Sequence, residues 1–223
     1  MTRTTSDRGV ALVLVLLVMM TLSALAMSLG VLVSTESRVT ANYRDGLEVF
    51  YSAQAALERV LPDLAAEPDP NRVLSGLTLS SFNDGPPGLR RLPDGTFMDL
   101  HALTSMLNCG RPLCSDVDLD EAREDRPWGR NNPRWQLYGY GRSPGLAAGS
   151  GQARVYAVVW VADDPSETDM DPFTDGGGEE NPGRGRLVIT AHGYGHSSTR
   201  RVIEATVGTD EWGFKMLSWR EVR

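Results

Sequence analysis

No charged residue stands between Val10 and Val33, and no proline between Val10 and Leu61. The first absence excludes an ordinary surface helix, which needs a polar face toward water. The second removes the commonest cause of a helix break. Basic residues are in deficit, with 22 Lys and Arg against 29 Asp and Glu, a net charge of −7 and a pI near 5.0. That balance argues against capture of nucleic acid, which needs a broad basic face. The adjacent pairs Arg90-Arg91 and Arg200-Arg201 read as solvated surface. Cysteine and histidine are scarce, at two and three. Two cysteines make a poor metal site without further ligands at zinc-like spacing. His192 and His196 are separated by Gly193 and Gly195 and read as surface residues on a turn, while His101 stands alone. No Gly-x-Ser-x-Gly elbow occurs, and no helix pattern follows Gly139-Tyr140-Gly141-Arg142 or Gly183-Arg184-Gly185, so neither is a phosphate cradle. The expectation is a protein that is not an enzyme.

What is present begins with the uncharged run itself, interrupted in its apolar character by Thr21, Ser23 and Ser28. At about 1.5 Å per residue it reaches roughly 36 Å, enough to cross a bilayer core of about 30 Å. Beyond it the larger apolar residues recur at Val39, Tyr43, Leu47, Phe50, Leu57 and Leu61, with Ala53 in the intervening slot. Steps of three, four and seven mark one apolar face of a helix. The spacing predicts a continuous helix over 10–61, with 10–33 membrane-spanning and Gly9 and Pro62 at its ends.

From 62 to 133 the chain is proline-rich and reads as an irregular variable region, with short helices or edge strands around Thr96–Leu107. From 134 to 223 it turns to strands: 134–142, 154–162, 186–194 and 199–207, rich in β-branched and aromatic residues and bounded by glycines. Residues 193–198 read as a hairpin loop, and the last residues, from Trp212 on, as an edge strand. Consecutive strands without helical patterns between them predict an antiparallel sheet covering the helix stripe. The fold class is α+β.

Three readings of the N-terminus compete. Arg3 and Arg8 would hold a signal anchor with its leader in the cytoplasm. Ala24-Leu25-Ala26 would be the cleavage site of a secretory signal peptide, although the apolar run continues well past it. A prepilin leader would be cut after Gly9. The wording of the segment favours the last. Arg8-Gly9-Val10-Ala11-Leu12-Val13, then Glu36-Ser37-Arg38-Val39-Thr40-Ala41-Asn42-Tyr43-Arg44-Asp45, then Phe50-Tyr51-Ser52-Ala53-Gln54-Ala55-Ala56-Leu57-Glu58 resembles the N-terminal region of PilX-type minor pilins. The resemblance covers about a quarter of the chain. It departs at Leu14, where major pilins carry a glutamate five residues into the mature chain, and at Gln54, where the family usually has Glu.

The resemblance implies a type IV pilin-like fold, a leader of residues 1–9, and processing at Arg8, Gly9 and Val10. It implies that Leu14, Leu16 and Leu17 pack in a helical bundle at a fibre core. Implied partners are other minor pilins, the major pilin, a tip adhesin, the inner-membrane assembly platform and the prepilin peptidase, with no nucleic acid. The implied location is the inner membrane, single-pass with a periplasmic domain, and afterwards the pilus fibre or tip. A subunit lacking the glutamate suits a tip or initiation complex that primes polymerisation. The alternatives are a tip pseudopilin of type II secretion and a signal-anchored surface binding domain.

For an exported domain, Cys109 and Cys114 are expected to form a local disulfide around Gly110 and Pro112. The stretch 163–180 holds Asp163, Asp164, Glu167, Asp169, Asp171, Asp175, Glu179 and Glu180 and no basic residue. Asp169, Asp171 and Asp175 offer oxygen ligands at spacings like those of a calcium loop, though Phe173 takes a ligand slot and the turn glycine is displaced. The competing reading is a solvated acidic hairpin tip. No cofactor other than such a calcium ion is expected.

Overall fold

The computed structural model describes residues 7–92, 94–124, 133–143, 155–167, 169–176, 181–210 and 213–222. It divides after Arg44 into two units. The described residues of the first all belong to α1 (Asp7–Ala66), and its described side chains are all exposed.

The second unit begins at Asp45 and contains the rest of α1. Neither expected helix end holds: α1 begins at Asp7, before Gly9, and runs past Pro62 to Ala66. Pro62 is exposed in the last turn, where its ring meets solvent and a single intrahelical bond is lost. The region expected to be irregular holds more regular structure than its prolines suggest. It contains α2 (Pro70–Leu74), a two-stranded ribbon of β1 (Leu89–Arg91) and β2 (Phe97–Asp99), α3 (Leu100–Cys109) and α4 (Asp116–Glu124). Asp99 caps α3 by accepting from the His101 and Ala102 amides, and Gly110 ends it at φ 75°. This is an Asp start and a glycine stop in the left-handed region.

The antiparallel sheet is as expected. β3 (Gln136–Ser143), β4 (Val155–Asp163), β5 (Arg186–Tyr194), β6 (Arg200–Asp210) and β7 (Gly213–Val222) pair in chain order, each antiparallel to the next. The edge of β3 does not stand open. Residues 80–83 run along it, with the Ser80 amide donating to the Tyr138 carbonyl at 2.8 Å and the Tyr140 amide to the Phe82 carbonyl at 2.7 Å. Such cover blunts the pairing hazard of an exposed edge.

The sheet has a core on each face. Ala157, Val159 and Val161 of β4, with Ile189, Ala191, Ile203, Ala205 and Val207, pack with Ala53, Ala56, Leu57, Val60 and Leu64 of α1. The intervening Tyr156, Val158, Trp160 and Ala162 face Met98, Leu100, Trp135, Tyr140 and the α3 residues Leu103 and Leu107. β4 is therefore buried along its whole length, which is why its sequence is an unbroken apolar run. In β3 a bulge between Leu137 and Gly139 puts Tyr138 in the α1 core and Tyr140 in the other. Without the extra residue the period of two would send both to one face.

The face of α1 that seats on the sheet differs from the expected stripe. Val39, Tyr43 and Leu47 are exposed, while Val49, Ser52, Ala56, Val60 and Leu64 join Ala53 and Leu57 in burial. Small residues make this possible from both sides. A Cβ at Gly193 would stand 2.5 Å from the Val49 carbonyl oxygen, and one at Gly139 would stand 2.8 Å from Val60 Cγ1. These glycines serve close approach of helix to sheet.

Candidate functional site

Two features of the chain are unlike an ordinary globular surface. The first is the front of α1. Leu14, Leu16 and Leu17 are 58%, 54% and 53% exposed, and Val10 62%. Burial of one such side chain is worth about 1.5–3 kcal/mol, so a continuous sleeve of them requires lipid or other helices as cover. The polar interruptions add little to the cost of such cover. The hydroxyls of Thr21, Ser23 and Ser28 donate to the carbonyls of Val18, Met19 and Ala24 at 2.8–2.9 Å. Each therefore enters an apolar medium already paired. The helix is long and apolar enough to cross a membrane.

The processing residues behave as part of this helix. Gly9 and Val10 lie within its first turns, and a Cβ added at Gly9 meets nothing within 4 Å. The fold itself does not require a glycine there. Residues 1–6 of the expected leader, and the side chain of Arg8, lie outside the described residues.

The second feature is the loop after β4. The expected solvated tip is contradicted at two positions, because Asp163 is 5% and Glu167 1% exposed. One carboxylate oxygen from each of Asp163, Glu167 and Asp169 lies within 4.8 Å of the others. Of the residues expected to bind calcium, Asp169 thus joins Asp163 and Glu167, and Asp171 and Asp175 are not in the group. Asp171 is exposed and accepts from the Phe173 amide at 3.1 Å. Asp175 accepts from the Gly185 amide at 2.6 Å. Burial, aided by the negative charges of Glu167, Asp169 and Asp175, pushes the Asp163 carboxyl up to about 8. Burial likewise pushes Glu167 up. Linear spacing missed the grouping because Asp163 is the last residue of a strand and Glu167 is held under the loop. An Asp at the end of an otherwise wholly apolar strand was the available signal.

The second unit also bears on three smaller expectations. Arg90 is an internal tether with its side chain 16% exposed, donating to Asp84 at 2.8 Å, and Asp84 also accepts from the Tyr156 hydroxyl at 3.0 Å. Cys109 and Cys114 form the expected disulfide, closing the turn between α3 and α4. His192 is not on a turn: it is buried in β5, its ring against Trp160 at 4.8 Å and its Nδ1 3.2 Å from the Tyr194 hydroxyl. Gly193 lies in β5 and Gly195 in the short connection to β6, both close against Val49 of α1, while His196 is exposed on that connection as expected.

Burial lowers His192 to about 3, and Arg200 pushes the same way. The unfolded chain protonates near pH 6.5. The folded histidine stays neutral, so its contribution is complete above about pH 6.5 and is lost progressively as pH falls toward 3. The raised Asp163 has the opposite sign, favouring the fold below about pH 4 and losing that contribution as pH rises through about 8. A comparison with His192→Gln isolates the histidine. Between pH 7 and 5 the wild-type chain should lose about 2 kcal/mol more than the variant in urea titrations. Parallel pH profiles would refute the buried neutral ring.

An N-terminal apolar helix continuing into an antiparallel five-stranded sheet is an α+β, pilin-like arrangement. Residues 8–58 match the family model described as PilX N-terminal. That stretch, about a quarter of the chain, is thus similar to the N-terminal segment of PilX-type type IV pilins. No curated protein and no solved structure matches it.

Proposed function

We propose that the protein is a minor pilin that primes type IV pilus assembly from a tip or initiation complex. The observation that carries this reading is the PilX N-terminal match laid over a helix whose apolar front is bare on all sides. On this reading the front of α1 first lies in the inner membrane and then packs, through Leu14, Leu16 and Leu17, among the helices of a fibre core. The head is then exported and contacts other minor pilins, the major pilin and a tip adhesin. The indifference of the fold to a side chain at Gly9 supports a role for that glycine in recognition by a leader peptidase.

Leu14 supports the placement at a tip. A carboxylate at hydrocarbon depth persists only when paired, and the glutamate of major pilins is thought to pair with the amine of a neighbouring subunit. With leucine the subunit cannot make that contact upward, yet its own amine can receive one from below. Deleting the gene should therefore abolish surface fibres while leaving the major pilin in the membrane. Leu14→Glu should raise the amount of this subunit in sheared fibres several-fold, read by immunoblot against the major pilin. Normal fibre numbers in the deletion strain would sink the priming role. Loss of protein secretion with fibres intact would favour the type II secretion alternative.

A further inference from the structure

We propose that Asp163, Glu167 and Asp169 form a calcium site in the loop that follows β4. One oxygen from each lies within 4.8 Å of the other two, the spread that a single ion can bridge. Glu167 supplies the independent observation. It is 1% exposed, and its Oε1 is buried with no hydrogen-bond donor among the described residues, the nearby Asp175 carboxylate adding negative charge instead of a donor. Its Oε2 accepts from the Gly176 amide at 3.3 Å. A buried carboxylate oxygen without a partner loses its hydration uncompensated, and a cation supplies what the chain does not.

The surroundings are arranged to hold these oxygens together. A Cβ at Gly183 would collide with Glu167 Cγ and stand 2.7 Å from its amide nitrogen, and a Cβ at Gly176 would collide with Asp169 Oδ2. Gly176 and Gly183 therefore lie directly against the acids. The Asp175 amide donates to Asn71 Oδ1 at 2.7 Å, fastening the loop to α2.

The donor set chooses the ion. All three ligands are carboxylate oxygens, which suit hard cations and not zinc or copper. Magnesium demands a near-ideal octahedron and usually engages one or two carboxylates while keeping several waters. Three carboxylates gathered at the end of β4 and in the loop after it suit the larger and more adaptable shell of calcium.

The test is isothermal titration of CaCl2, and separately MgCl2, into the full chain in detergent. Circular dichroism of each variant checks the fold. A single saturable calcium site is expected, with Kd on the order of 10⁻⁴–10⁻³ M as in extracellular modules. Glu167→Gln should weaken it at least about tenfold, as should Asp169→Asn, which alters a less buried residue and keeps the test valid if the first variant misfolds. No saturable heat up to about ten times that Kd, equal binding of magnesium, or unchanged affinity in both variants would overturn the assignment.

Discussion

Protein recovered from cell membranes should begin at Val10, and the Gly9→Leu variant should retain its leader completely. The physical case rests on what the fold does and does not need. Around Gly9 an added side chain meets nothing, and α1 already includes the residue, so leucine there should favour the helix by up to about 1 kcal/mol. A folding defect is therefore not expected. Any loss belongs to recognition by the enzyme that cuts. Cleavage would remove Arg3, Arg8 and Asp7 and free an amine directly at the start of the apolar run. Mass spectrometry of the N-terminal peptide reads the outcome, and fibre counts should fall to none in the variant. A wild-type chain beginning at Met27, or one keeping Met1, would remove the pilin reading and leave a secreted or plainly anchored domain.

The second large effect is expected at the seat of α1 on the sheet. Gly193→Ala places a Cβ 2.5 Å from a backbone oxygen of Val49, a neighbour that cannot rotate away. Overpacking of this kind typically costs about 1–3 kcal/mol, and more where backbone must shift. Leu57→Ala, at a residue with no exposed area, should cost about 2–5 kcal/mol through lost burial and the cavity left behind. Against a typical stability of about 5–15 kcal/mol, the double variant should be partly unfolded at growth temperature. Gly30→Ala is the contrast, because its Cβ would meet nothing within 4 Å, and helix propensity makes it neutral or slightly favourable. Thermal unfolding followed by tryptophan fluorescence of the full chain in detergent gives the comparison. If Gly193→Ala melts with the wild-type chain, α1 does not sit on β5 as described.

These two predictions draw on different levels of information. Everything that points to Gly9 was present in the linear text: the uncharged run, its length and the wording of its flanks. Nothing in that text pointed to Gly193, which read as part of a turn. Its place in a strand emerged once β5 and β6 were paired. The same holds for His192, whose glycine neighbours suggested solvent although its strand is buried on both sides.

The sequence by itself determined the long helix and the five strands, because both are local signals: an uncharged apolar run, then β-branched and aromatic segments bounded by glycines. It also located the cysteine pair, since a bond across so few residues depends on the loop between them. The tertiary structure decided which face of α1 is seated, that the sheet carries a core on each side, and that Asp163 and Glu167 meet Asp169. Those outcomes depend on residues far apart in the chain converging at one depth. A bulge at Tyr138 reverses the parity of a strand, and a loop folds back so that Gly183 rests on Glu167. No period in the sequence encodes such meetings, because burial of a charged or small side chain is set by what packs over it and not by its neighbours in the chain.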